Sequence, residues 1–188
     1  MKIFIMRRVT NFFYFLLTMI LITSCGTSKT ALTQKPDANP KHEFRGAWIH
    51  TVGQSRYQKM NSAAMKHYIS DMVQKLDEAG VNVVVFQIRP EADAFYKSNL
   101  EPWSRFLTGE QGKAPDDPTF DPLEFIVEEC HKRGMELHAW LNPYRVKANI
   151  NTELAPEHLY WQHPERFIQY GNQLFFDPGL PENRSFIC

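Results

Sequence analysis

The sequence predicts an α/β fold of the (β/α)8 TIM-barrel type, with the first three to four βα units present. Three observations predict it. Short β-branched and aromatic runs alternate with amphipathic helical stretches in the order β-α-β-α-β. Each helical stretch ends at a glycine and passes directly into a strand, which implies parallel strands and right-handed crossovers. The helix-to-strand turns are short and the strand-to-helix loops long, an asymmetry typical of a barrel whose working face is built from βα loops. A doubly wound sheet is the alternative. No strand is followed by a glycine-rich phosphate-binding motif, so nucleotide binding has little support.

The elements follow in order. Phe44 to His50 is short and apolar and reads as the first strand. Asn61 or Ser62 can cap the next helix, in which Met65, Tyr68, Ile69, Met72, Val73, Leu76 and Ala79 recur at spacings of three and four. Gly80 stops it. Val83 to Ile88 is a continuous β-branched and aromatic run, as expected of a strand buried on both faces. Pro90 lacks an N–H and ends the pairing. A long loop from Tyr96 to about Phe120 leaves the same edge, and loops of that length in compact domains are usually functional. Asp121-Pro122 supplies an N-cap and first helical residue, Leu123, Ile126, Val127 and Cys130 the inward face, and Gly134 the stop. Met135 to Leu141 is the third strand. Beyond Val146 the pattern weakens: Pro156 to Tyr170 is expected to hold one or two short helices, and Pro181 to begin another.

Of 188 residues about 43% are hydrophobic and 22% charged, enough for a packed core. Residues 1–24 carry three basic and no acidic side chains; without them 18 basic face 21 acidic residues, a net of −3, which gives no electrostatic basis for nucleic-acid binding. Lys2, Arg7 and Arg8 precede an apolar run, Phe12 to Ile22, too short to span a bilayer and suited to a secretory signal. Ile22-Thr23-Ser24-Cys25-Gly26 then resembles the bacterial lipobox. The resemblance implies a signal peptide over residues 1–24, lipidation of Cys25, a polar tether over residues 25–42 and a protein anchored to a membrane of the bacterial cell envelope, facing the periplasm or exterior. An ordinary signal peptide is the alternative. Cys130 falls on an apolar helix face as a buried thiol, and its distance from Cys188 argues against a zinc site.

Chemistry in such folds gathers at the C-terminal ends of strands. There the sequence offers three carboxylates as candidate catalytic groups: Glu91, Asp93 and Asp177. Glu91, first after Pro90, is expected to turn to solvent, and Asp93 to be held beside Arg89. His50, Gln87, Arg89, Trp103, Trp140, Asn142, Tyr144 and Arg145 form the candidate substrate-binding set, with Trp48 as a further ring. Paired carboxylates, stacking rings and polar forks suit a glycan substrate. His50, His131 and His138 fall in no H-x-H or H-E-x-x-H spacing, so neither metal nor other cofactor is expected.

Taken together, several segments resemble the glycosyl-hydrolase-like 10 family: Phe-Arg-Gly-Ala-Trp-Ile at 44–49, Phe-Gln-Ile-Arg-Pro-Glu-Ala-Asp-Ala-Phe-Tyr at 86–96, Glu-Pro-Trp-Ser-Arg-Phe-Leu-Thr-Gly at 101–109, His-Ala-Trp-Leu-Asn-Pro-Tyr-Arg at 138–145 and Phe-Asp-Pro-Gly-Leu-Pro at 176–181. The resemblance covers residues 43–188. It implies a barrel glycosidase of the envelope, acting on a polysaccharide such as the glycan strands of peptidoglycan. Members of the family continue into a fourth strand ending in an acidic Asp-Gly-x-x-x-Asp-Asp-Tyr-like motif that this sequence lacks. The expectation is therefore a chain holding the N-terminal part of such a barrel and short of part of its machinery. A glycan-binding lipoprotein without turnover is the main alternative, and a barrel enzyme of another class, such as a deacetylase or metal-dependent hydrolase, the next.

Overall fold

The computed structural model describes residues 43–188. The expected signal segment, Cys25 and the tether lie outside the described residues. The first half of the described chain forms strand β1 (Gly46–Ile49), helix α1 (Ser62–Glu78), strand β2 (Val83–Arg89), a one-turn helix α2 (Arg105–Thr108), helix α3 (Pro122–His131) and strand β3 (Glu136–Leu141). The strands pair in parallel in the order β1-β2-β3.

Local chemistry sets these boundaries. The Asn61 side chain accepts from the Ala64 N–H and starts α1, and the Asp121 carboxylate accepts from the Leu123 and Glu124 N–H groups ahead of Pro122 and starts α3. Both helices end one way. Gly80 and Gly134 take positive φ, which lets the next N–H reach back: Val81 to the Leu76 carbonyl, Met135 to that of Cys130. Just before β1, Arg45 bonds through its backbone to Asn82 and to the Val83 N–H at the start of β2.

The two helices cover one face of the sheet. Met65, Ile69 and Val73 of α1 and Ile126 and Cys130 of α3 pack with Val84, Phe86 and Ile88. Cys130 is fully buried and burial pushes its thiol up to about 11, an inert group. The other face is different. Trp48, Val85 and His138 align across the three strands, and Gln87 aligns with Trp140. Trp48 is 66% exposed and meets Trp140 edge-on at 5.3 Å.

After β3 the structure departs from the sequence reading. Strands β4 (Arg145–Lys147), β5 (Phe167–Tyr170) and β6 (Gln173–Phe176) form an antiparallel sheet in the order β4-β6-β5. The helical expectation over 156–170 holds only as two short 3-10 turns, Leu159–Trp161 and Pro164–Arg166; the residues after them are a strand. Helix α4 (Pro181–Ile187) closes the described chain. This arm has its own core of Val146, Leu154, Phe167, Leu174 and Phe176, joined by Ala92 from the β2 exit. Ring contacts run through it, from Tyr160 to Phe167 at 5.3 Å, Phe167 to Phe176 at 4.6 Å and Phe176 to Phe186 at 5.6 Å.

Candidate functional site

β2 delivers four polar side chains to its C-terminal end, and all four are buried. The Gln87 side-chain oxygen accepts from the Thr51 N–H at 2.9 Å and the Val52 N–H at 3.3 Å, which fixes the loop after β1. Arg89 makes a two-pronged ion pair with Glu101 through Nε and Nη2, and its Nη1 donates to the carbonyls of Asn142 (2.7 Å) and Pro143 (2.9 Å). Such forked, charge-assisted bonds are the strong kind. They clamp the β2 loop to the exit of β3.

Two expectations are corrected here. Glu91 does not turn to solvent: it is 2% exposed. One of its oxygens accepts from Nε and Nη2 of Arg105 at 3.0 and 2.8 Å, and the other from the Ala148 N–H at 3.0 Å. A carboxylate this far from water is retained because an arginine and a peptide N–H replace its hydration. Asp93 is fully buried but not beside Arg89, which is committed to Glu101. Asp93 accepts from the N–H groups of Glu91 (3.1 Å) and Arg105 (3.3 Å) and from Gln111 (3.4 Å). Burial raises its carboxyl to about 6, against the lowering effect of its hydrogen bonds. Between the two, Ala92 has φ +52°, the one non-glycine residue with positive φ among the described residues.

The accessible candidates form a second group. Trp140 donates from its indole to Asn142 Oδ1 at 3.2 Å, and Asn142 donates onward to the Pro90 carbonyl at 3.0 Å. Arg145 reaches that carbonyl at 3.4 Å through Nε and Nη2. Tyr144 is half-buried against the core of the arm. Asp177, at the end of β6, is half-exposed, with one carboxylate oxygen accepting from the Gly179 N–H at 2.7 Å. His50 is exposed and shares a 3.0 Å hydrogen bond with Gln54. Trp103 stands apart, on a recess of about 230 Å³ with Leu100 and Glu157. Glu101, Arg105, Gln111 and His158 complete the buried network; the sequence marks Arg105 as part of the long loop after β2 but gives none of the four a role at the site. Glu101 and Arg105 lie inside the 101–109 segment that carries the family resemblance, the one signal that pointed to them.

What the strand exits define is a polar, aromatic-rimmed edge above a parallel α/β sheet, and the comparisons place it in a family. Residues 43–188 match the glycosyl hydrolase-like 10 family, and the chain belongs to it. It is 40% identical over 178 residues to the glycosyl hydrolase YngK of Bacillus subtilis, covering 92% of this chain and 34% of YngK. To the glycosyl hydrolase DigH of Escherichia coli K12 it is 34% identical over 187 residues, covering 89% of this chain and 41% of DigH. The chain therefore spans 34% to 41% of the length of these relatives. Among solved structures it is similar to a maltogenic α-amylase, AmyB of Thermotoga neapolitana, at TM-score 0.45 and 16% identity, over 75% of this chain and 33% of AmyB. At that distance the likeness adds nothing to the functional reading.

Proposed function

We propose that this chain forms the first βα units of a (β/α)8 glycoside hydrolase of the bacterial cell envelope, lipid-anchored at Cys25 and acting on a polysaccharide such as peptidoglycan glycan strands. The family match over residues 43–188 carries the reading. The strand order fits the barrel: it advances 1-2-3 with both helices on one face, and this excludes the 2-1-3 start of a flavodoxin-like doubly wound sheet. The site supports a glycan. Trp48 and Trp140 offer ring faces, Asn142 and Arg145 offer hydrogen-bonding forks, and Asp177 offers a carboxylate in reach of water. Glycosidic cleavage needs two carboxyl groups on either side of the bond, roughly 5–9.5 Å apart.

A second reading, glycan binding without turnover, is favoured by one observation: Glu91 and Asp93 are both buried and taken up by internal partners. One experiment separates the two. Purified glycan strands are incubated with the 188-residue chain, and retention and release of reducing ends are measured. Hydrolysis predicts both, and binding alone predicts retention without release. Absence of retention contradicts both readings. Fractionation tests the anchor: Cys25→Ala is expected to move the protein from membrane to soluble envelope fraction, and an unchanged distribution overturns that part.

A further inference from the structure

Three consecutive residues after β2 each hold a different point of the segment that leads into the antiparallel sheet. Glu91 binds the Ala148 N–H at 3.0 Å and, through its other oxygen, Arg105. Ala92 packs into the core of the arm beside the buried His158 ring, whose Nδ1 accepts from the Tyr160 N–H at 3.0 Å. Asp93 binds Gln111, whose amide oxygen accepts from the Ala155 N–H at 3.0 Å. Ala92 is 1% exposed and sits in the core of the arm, in a left-handed backbone conformation that a residue with a Cβ adopts at a cost. Strain of this kind persists only where the surroundings impose it, and it gathers at functional sites.

We propose that residues 91–93 are a three-point dock for the arm, and that Glu91 and Asp93 are positioning residues that hold Tyr144, Arg145 and Asp177 at the strand exits rather than reacting carboxylates. What is positioned rests on the glycoside hydrolase reading; the dock itself does not. A reacting acid has to reach the glycosidic oxygen directly or through one water. Glu91 and Asp93, at 2% and 0% exposure, reach the arm and α2 instead. Hydrogen bonds that reach 148 directly and 155 through Gln111, together with the seat of Ala92 in the core of the arm, fix both the placement and the rotation of the segment, which a single tie cannot do. Arg105 joins them, since its guanidinium pairs with Glu91 and its N–H bonds Asp93.

The test uses the 188-residue chain, with amide exchange at Ala148 and Ala155 and affinity for an N-acetylglucosamine hexamer as readouts. Glu91→Ala is expected to speed exchange at Ala148 by roughly tenfold or more, the effect of one lost hydrogen bond to a charged group, and to weaken the hexamer in step. Glu91→Gln keeps an acceptor for Ala148 and is expected to restore most of the protection and the affinity. Should Glu91→Ala fail to fold, Gln111→Ala frees only the Ala155 tie and is expected to speed exchange there while β2 stays protected. The proposal is overturned if Glu91→Ala leaves Ala148 protected, or if Glu91→Gln abolishes hexamer binding with both amides still protected, which would put the carboxylate on the sugar. If the parent chain does not bind the hexamer, the glycan reading fails, and the exchange data still decide the dock.

Discussion

The parallel sheet and the antiparallel arm are built on different principles. β2 lies between two neighbouring strands and under two helices, so every one of its residues is buried, and apolar area supplies most of its stability beside the bonds of Gln87 and Arg89. The arm has strands of three or four residues and a small aromatic core, and its interior also encloses polar groups: Lys147, His158 and Asn183. Strands this short bury little apolar area, so few kcal/mol come from the core of the arm. The arm is held to the parallel sheet by hydrogen bonds from Arg89, Glu91 and Asp93 and by the packing of Ala92 in its core. The difference teaches where sensitivity should fall. Loss of apolar volume should affect both regions together, whereas loss of a charge or a hydrogen bond should loosen the arm first.

The largest test of that contrast is Phe86→Ala. Phe86 is fully buried in the larger core, and the substitution is expected to lower unfolding stability by about 3–5 kcal/mol, with both sheets lost in one transition. Denaturant unfolding followed in each region checks it.

Next comes pH, where two buried groups in and beside the dock act in opposite directions. Asp93, raised to about 6 by burial, holds a proton more tightly folded than unfolded, so its contribution grows as pH falls from about 6 towards 4 and is lost as pH rises. His158 is lowered to about 4 by burial and then by the nearby Lys147 and Arg89 charges, so stability is lost as pH falls from about 6.5 to 4. At about 1.4 kcal/mol per unit the two effects are similar, about 3 kcal/mol each, and the parent should show little net change between pH 7 and 4.5. His158→Gln is expected to become more stable on acidification and Asp93→Asn less stable; thermal melts at the two pH values read this directly.

Asn183→Ala acts within the arm alone. The buried side chain donates to the carbonyls of Arg166 (2.7 Å) and Asp177 (2.9 Å) and accepts from Arg166 Nε (2.7 Å). Its loss is expected to cost about 1–3 kcal/mol and to loosen the Asp177 turn, seen as faster amide exchange at Gly179. Smallest is Asn61→Ala, which removes the α1 cap for about 1 kcal/mol and should leave the arm unchanged in the same exchange measurement.

The two regions also differ in how far the sequence reveals them. α1, β2 and α3 are long, periodic and punctuated by Asn61, Gly80, Asp121-Pro122 and Gly134, so local chemistry suffices. The arm's strands are too short for a period to register. One signal was present: Gly171-Asn172 is a two-residue hairpin loop between β5 and β6, with Gly171 at φ +58°. At the site, the carboxylates of the β2 exit are legible because Pro90 marks the strand end. Their burial is not, because the groups that enclose Glu91 come from Arg105, 14 residues on, and Ala148, 57 residues on. Nor does the sequence show that Arg89 is taken by Glu101, which leaves Asp93 to other partners.

The most direct measurement of the contrast is native-state amide exchange of the 188-residue chain in low denaturant, comparing β2 with β4 and β6. The account expects the arm to open below the global unfolding free energy, while β2 exchanges only through global unfolding. If β6 and β2 open with the same free energy and the same denaturant dependence, the arm is part of one cooperative core, and the division into an apolar sheet and a tethered arm is contradicted.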